Sequence, residues 1–140
     1  MDYISKIREF SSHQFCCSQI QMCLALELKG NENPELIKAM SGLCRGMGES
    51  GKDCGALTGG ACAIGLFCGH GETGETSSEN LNKMVKELVE WFEKEYGSVE
   101  CYDLIEGDFD KKRKELCPYI VQNTFENAVR IMLENGVEIG

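Results

Sequence analysis

Cys54 closes a glycine-rich run, GMGESGKDCGALTGG over residues 46–60, and Cys117 stands directly before Pro118. Each occupies a predicted helix start, where unpaired backbone N–H groups and the positive end of the helix dipole favour thiolate over thiol. Lys52 adds positive charge beside the first. Sulfurs so placed can attack a disulfide or ligate a metal ion. The remaining seven of the nine cysteines include no C-x-x-C pair with any other. That absence excludes a thioredoxin-type redox pair, a zinc knuckle and a clustered ferredoxin motif. Any metal site has to be gathered from distant segments.

Cys16 and Cys17 are adjacent, and on a helix they point about 100° apart. Cys17 shares an apolar face with Ile20 and Leu24 and is expected to point inward. Cys23, Cys44, Cys62 and Cys68 lie within apolar helical patterns and read as small core residues. An odd count cannot pair completely within one chain, so a structural disulfide framework is not expected. His13 and His70 read as solvated residues rather than ligands.

The same glycine run nearly spells a phosphate-binding loop, with Gly46, Gly51 and Lys52 at the required spacing. The next position must be Ser or Thr to hold magnesium, and here it is Asp53. A buried strand should precede the motif, whereas Leu36 to Cys44 has helical periodicity. No nucleotide site is expected. The glycines before Cys54 read instead as a flexible approach that lets backbone N–H groups and Lys52 face a sulfur-bound centre.

A net charge of -9 argues against nucleic acid, whose binding draws on clustered cations. The single basic cluster, Lys111 to Lys114, sits among Glu106, Asp108, Asp110 and Glu115 and reads as a solvated turn or helix start. No apolar stretch approaches the roughly 20 residues that span a bilayer, and the first ten residues lack a secretory leader. These features predict a soluble, cytoplasmic protein without a membrane partner.

Strand patterns are scarce and helical ones frequent. The expected elements are a helix over residues 13–29 ending at Gly30, one from Asn33-Pro34 to Cys44, and one from Cys54 to Phe67. In the third, Gly55, Gly59 and Ala63 form a smooth strip for close packing. A fourth, capped by Thr76 and Glu79, carries Leu81, Met84, Val85, Leu88, Trp91, Phe92 and Tyr96 and stops at Gly97. A last one runs from Pro118 to Gly136, with Cys117 as its N-cap. The prediction is one domain over residues 1–140, an all-α bundle of about five or six helices.

With Cys54-Gly55-Ala56-Leu57-Thr58-Gly59 as a CGAxxG motif, the chain resembles the redox-active proteins labelled by the pattern C-GCAxxG-C-C. The first family cysteine corresponds to Cys17 in Cys17-Ser18-Gln19-Ile20, and the last two to Cys101 and Cys117. The resemblance runs from about Cys17 to the last helix. It implies a redox role. A similar domain occurs in split-Soret cytochromes, where cysteines hold an iron–sulfur cluster beside haems. This chain has no C-x-x-C-H haem attachment motif, so no haem is expected.

What the resemblance implies is an electron-transfer module rather than an enzyme, with an iron–sulfur cluster held by Cys17, Cys54, Cys101 and Cys117 and a redox partner protein of unknown identity. Two alternatives stay open: a metal-free thiol–disulfide protein or sensor using the same cysteines, and a helical protein with structural zinc. Homo-oligomerisation is also left open, as are the roles of Cys16, Cys23, Cys44, Cys62 and Cys68.

Overall fold

The computed structural model describes residues 2–139. Its helical segments are α1 (Tyr3–Ser12), α2 (Cys17–Lys29), α3 (Pro34–Met40), the irregular turn α4 (Cys44–Met47), α5 (Gly55–Cys68), α6 (Leu81–Tyr96), the single turn α7 (Cys101–Leu104) and α8 (Lys111–Glu134). Six of these have seven or more residues, and no strand occurs among the described residues, so the protein is all-α.

Helix α5 is central, packed against α2, α8 and α6. Its glycines make this approach possible. A Cβ on Gly59 would meet Gln21 Cβ at 2.8 Å and Ser18 Cα at 2.9 Å, and one on Gly60 would meet Thr124 Cγ2 at 3.0 Å. Around α5 the fully buried Leu24, Ile64, Met84, Leu88, Phe92, Phe125, Ile131 and Met132 form one core. Burial of each such side chain contributes about 1.5 to 3 kcal/mol. The buried Gln21 amide donates to the Ala56 carbonyl at 2.9 Å and to the Val121 carbonyl at 3.2 Å, tying α2 to α5 and α8.

Gly30 and Gly97 end α2 and α6 in the left-handed conformation, as expected of C-terminal glycines. Other boundaries differ from the sequence reading. The predicted helix over residues 13–29 begins only at Cys17, because a separate helix, α1, precedes it and Gln14 has φ +69°. Gln19 Oε1 accepts from the Cys16 N–H at 3.1 Å and fixes the new start. Charges interrupt the apolar residues of α1, yet Ile7 is fully buried and Tyr3 packs edge-on to Phe125 at 5.3 Å.

The helix expected to reach Cys44 ends at Met40 and gives way to a 3-10 turn, Ser41–Leu43. Thr76 and Glu79 form no capping box; α6 starts at Leu81 after Asn80. The last helix begins at Lys111, seven residues before Pro118. Asp108 accepts from the Asp110 and Lys111 N–H groups at 3.0 Å each, which fixes that start. Proline costs α8 one backbone hydrogen bond in its interior without ending the helix. The basic cluster is therefore a helix start. Among the described residues, no helix is long and apolar enough to cross a membrane.

Candidate redox site

Two of the four predicted ligands are brought together by a short backbone pairing. The Cys54 N–H donates to the Val99 carbonyl at 2.8 Å, the Cys101 N–H to the Lys52 carbonyl at 2.6 Å, and the Tyr102 N–H to the Gly51 carbonyl at 3.1 Å. Asp53 and Glu100 face each other in an antiparallel bridge. Each strand-like segment runs directly into a helix start, so Cys54 at α5 and Cys101 at α7 are placed side by side.

The glycine run before Cys54 is not an open approach. Residues 45–49 have φ of +57°, +66°, +67°, +67° and +63°, one turn of left-handed helix. The Gly48 N–H donates to the Cys44 carbonyl at 2.9 Å, and an Arg45–Glu49 ion pair spans the turn. Arg45, Met47 and Glu49 each carry a cost of about 1 to 2 kcal/mol for that conformation, which Gly46 and Gly48 avoid. Gly46 is needed for a second reason. A Cβ there would stand 2.6 Å from the Lys52 nitrogen and 2.9 Å from Cys101 Cβ.

Cys17 at the start of α2, Cys54, Cys101 and Cys117 in α8 all line one cavity of about 20 Å³, together with Arg45 and Arg113. Four cysteines from four elements thus converge, as the sequence pattern predicts. Cys54 and Cys101 are buried, and Cys17 and Cys117 half-buried. Lys52 is exposed and does not line the cavity; Arg45 and Arg113 supply the positive charge instead. The sequence reading missed both. Arg113 lies four residues before Cys117, so a helix started at Lys111 would have shown the two on one face.

Burial and neighbouring sulfurs, not the helix dipole, govern the Cys17, Cys54 and Cys101 thiols. Burial pushes Cys54 up to about 12, reinforced by the nearby Cys17, against hydrogen bonds from the Ala56 and Leu57 N–H groups that favour the thiolate. Interaction with the Cys117 sulfur, then burial, holds Cys17 well above the ordinary thiol value, and Arg113 opposes this. Burial and Cys17 raise Cys101. The expectation of a thiolate at Cys54 is therefore corrected. Cys54 does precede α5, whereas Cys117 lies inside α8 and is not an N-cap.

A second correction concerns Cys44. It is not a core residue but is joined to Cys16 in a disulfide, with Cα atoms 5.8 Å apart. Cys23 and Cys68 are core residues as expected, each 5% exposed, and Cys62 is half-buried against the core. Burial and Glu27 push the Cys23 thiol up to about 11. Both histidines are exposed, with His70 Nδ1 2.6 Å from Ser77 Oγ.

The cavity's donor set is all sulfur, without carboxylate or imidazole, which fits a thiolate-ligated metal centre. Among the described residues, no three Cys, His, Asp or Glu side chains are already gathered at metal-binding geometry. The cavity has room for about one water. A larger centre requires its walls to part.

Comparison with curated proteins and with solved structures yields no match. The family model described as "Putative redox-active protein (C_GCAxxG_C_C)" matches residues 15–131, which contain all four converging cysteines and the disulfide, and the chain belongs to this family.

Proposed function

We propose that the protein is an electron-transfer module in which Cys17, Cys54, Cys101 and Cys117 hold an iron–sulfur cluster. The observation that supports this reading is their convergence, from four separate elements, on one small cavity that contains no other metal-ligating side chain than the disulfide sulfur of Cys16. When bound, a cluster supplies one-electron transfer. The residues prepare for an anionic centre: Arg45 and Arg113 face the sulfurs, and the Ala56 and Leu57 N–H groups point at Cys54. Such donors raise the reduction potential of a sulfur-ligated centre. Because the Cys17, Cys54 and Cys101 thiols are held protonated, ligation releases protons, and apo-protein affinity rises with pH.

Anaerobically purified protein is expected to be brown, with iron and acid-labile sulfide in comparable amounts. Serine replacement of Cys17, Cys54, Cys101 or Cys117, one at a time, is expected to lower the iron content. A colourless, iron-free product from cells competent in cluster assembly overturns the proposal, and zinc in iron's place redirects it to a structural site.

A second reading has its own support. Cys17 and Cys117 line the same cavity, and the Cys117 sulfur raises the Cys17 thiol, a pair suited to cycling between dithiol and disulfide without metal. The raised Cys17 thiol makes attack slow at neutral pH, which ranks this reading second. It predicts loss of two titratable thiols on mild oxidation, with the new bond mapped to Cys17 and Cys117.

A further inference from the structure

Beside the cysteine cavity lies a larger, open pocket of about 510 Å³, within the size range of small-molecule sites. Cys16 lines it, together with Arg45, Arg113 and Lys114. Three cations thus border one pocket in a chain whose net charge is -9. Arg45 pairs with Glu49, and Lys114 lies 3.5 Å from Asp110. Arg113 donates through Nε to the Phe109 carbonyl at 2.7 Å and has no carboxylate at ion-pair distance among the described residues. Its remaining guanidinium donors are available to a ligand.

We propose that the Cys16–Cys44 disulfide is a thiol–disulfide exchange site for a low-molecular-weight thiol bearing an anionic group, which this pocket seats against Arg113 and Lys114. Neither Cys16 nor Cys44 is buried. The incoming thiolate attacks Cys16 Sγ from the pocket; a mixed disulfide forms there, the Cys16–Cys44 bond breaks, and Cys44 leaves with the electron pair. A second thiol attacks the mixed disulfide and releases the oxidised small molecule. Two small thiols are oxidised to one disulfide, and the protein gains two thiols, whose protons come from the two small thiols.

A hydrogen-bond donor stands beside both sulfurs. The buried Ser18 Oγ is 3.2 Å from Cys16 Sγ and 3.9 Å from Cys44 Sγ, and now donates to the Met40 carbonyl at 2.9 Å. Rotation of the hydroxyl turns that donor onto whichever sulfur carries charge. Cys17 and Cys117 also line the pocket, so the exchange is measured on metal-free protein.

The test compares 2-mercaptoethanesulfonate with neutral 2-mercaptoethanol at equal thiolate concentration on the intact oxidised protein, with Cys16–Cys44 reduction followed by alkylation and peptide mass mapping. The anionic thiol is expected to react about tenfold faster, with the mixed disulfide trapped on Cys16. Arg113→Gln combined with Lys114→Gln is expected to bring the two rates to near parity. Equal or slower reaction of the sulfonate with the unaltered chain overturns the proposal. So does a mixed disulfide on Cys44, or the absence of a Cys16–Cys44 bond from aerobically prepared protein. Iron content is scored separately and decides only the cluster reading.

Discussion

Gly46 and Cys101 stand so close that a methyl group on the glycine would lie 2.9 Å from Cys101 Cβ, inside any normal carbon–carbon contact. Cys101 therefore depends on the absence of a side chain more than fifty residues away in sequence. Gly46→Ala combines a left-handed conformation at φ +66° with backbone clashes at Lys52 and Gly51. It is expected to cost about 2 to 5 kcal/mol in urea denaturation and to lower metal content. Gly48→Ala shares the conformation, φ +67°, but meets nothing within 4 Å. Its cost is expected to be about 1 to 2 kcal/mol, with metal content kept. Equal losses from the two would remove the steric role assigned to Gly46.

The glycines of α5 divide in the same way. Gly59→Ala must push Gln21 and Ser18 away, and about 1 to 3 kcal/mol of overpacking exceeds the helix-propensity gain of about 1 kcal/mol. Gly65 meets nothing within 4 Å, so Gly65→Ala is expected to stabilise by about 0.5 to 1 kcal/mol. Thermal unfolding of the two variants should shift in opposite directions.

That α5 would be smooth on one side was legible because Gly55, Gly59 and Ala63 recur at helical spacing. Helix position singled out Cys17, Cys54 and Cys117 among the nine cysteines, but Cys101 was legible only through the family pattern, since nothing local marks it. What escaped the sequence was set by neighbours distant in the chain. The Cys16–Cys44 bond joins residues 28 apart, and Cys44 immediately precedes a left-handed turn that no propensity announces. Cys54 read as a thiolate because its helix start is a local feature, whereas the burial that outweighs it comes from α2, α7 and α8. Pro118 looked like a start because proline favours first turns, and only the Asp108 cap shows that α8 had already begun.

Burial of Cys54 has a consequence for pH. Its folded value, about 12, lies above the ordinary 9.0, so above about pH 9 the unfolded chain loses a proton that the folded metal-free protein keeps. Fewer protons on the unfolded state mean that stability falls as pH rises, by up to about 1.4 kcal/mol per pH unit until the folded thiol ionises. Between about pH 8 and pH 10, the metal-free protein should lose about 1.4 kcal/mol more than Cys54→Ala does. Urea denaturation at the two pH values measures the difference. Parallel losses in both proteins would mean that Cys54 ionises as freely folded as unfolded.

The disulfide staples the start of α2, where Cys17 sits, to the turn that carries Arg45 and Gly46. It should therefore stabilise both the fold and the site. Closing a loop with a sequence separation of 28 corresponds to about 3 to 4 kcal/mol of lost unfolded-state entropy. A phosphine reductant is expected to lower the stability of the metal-free protein by about that amount. In the Cys16→Ser, Cys44→Ser double variant the starting stability should already be lower and the reductant should have no effect. An equal response in the double variant would assign the stabilisation to a different pair. The ligand cysteines should also respond: with the staple removed, alkylation of Cys17 is expected to quicken, while that of Cys68, held in the core on the far end of α5, stays slow.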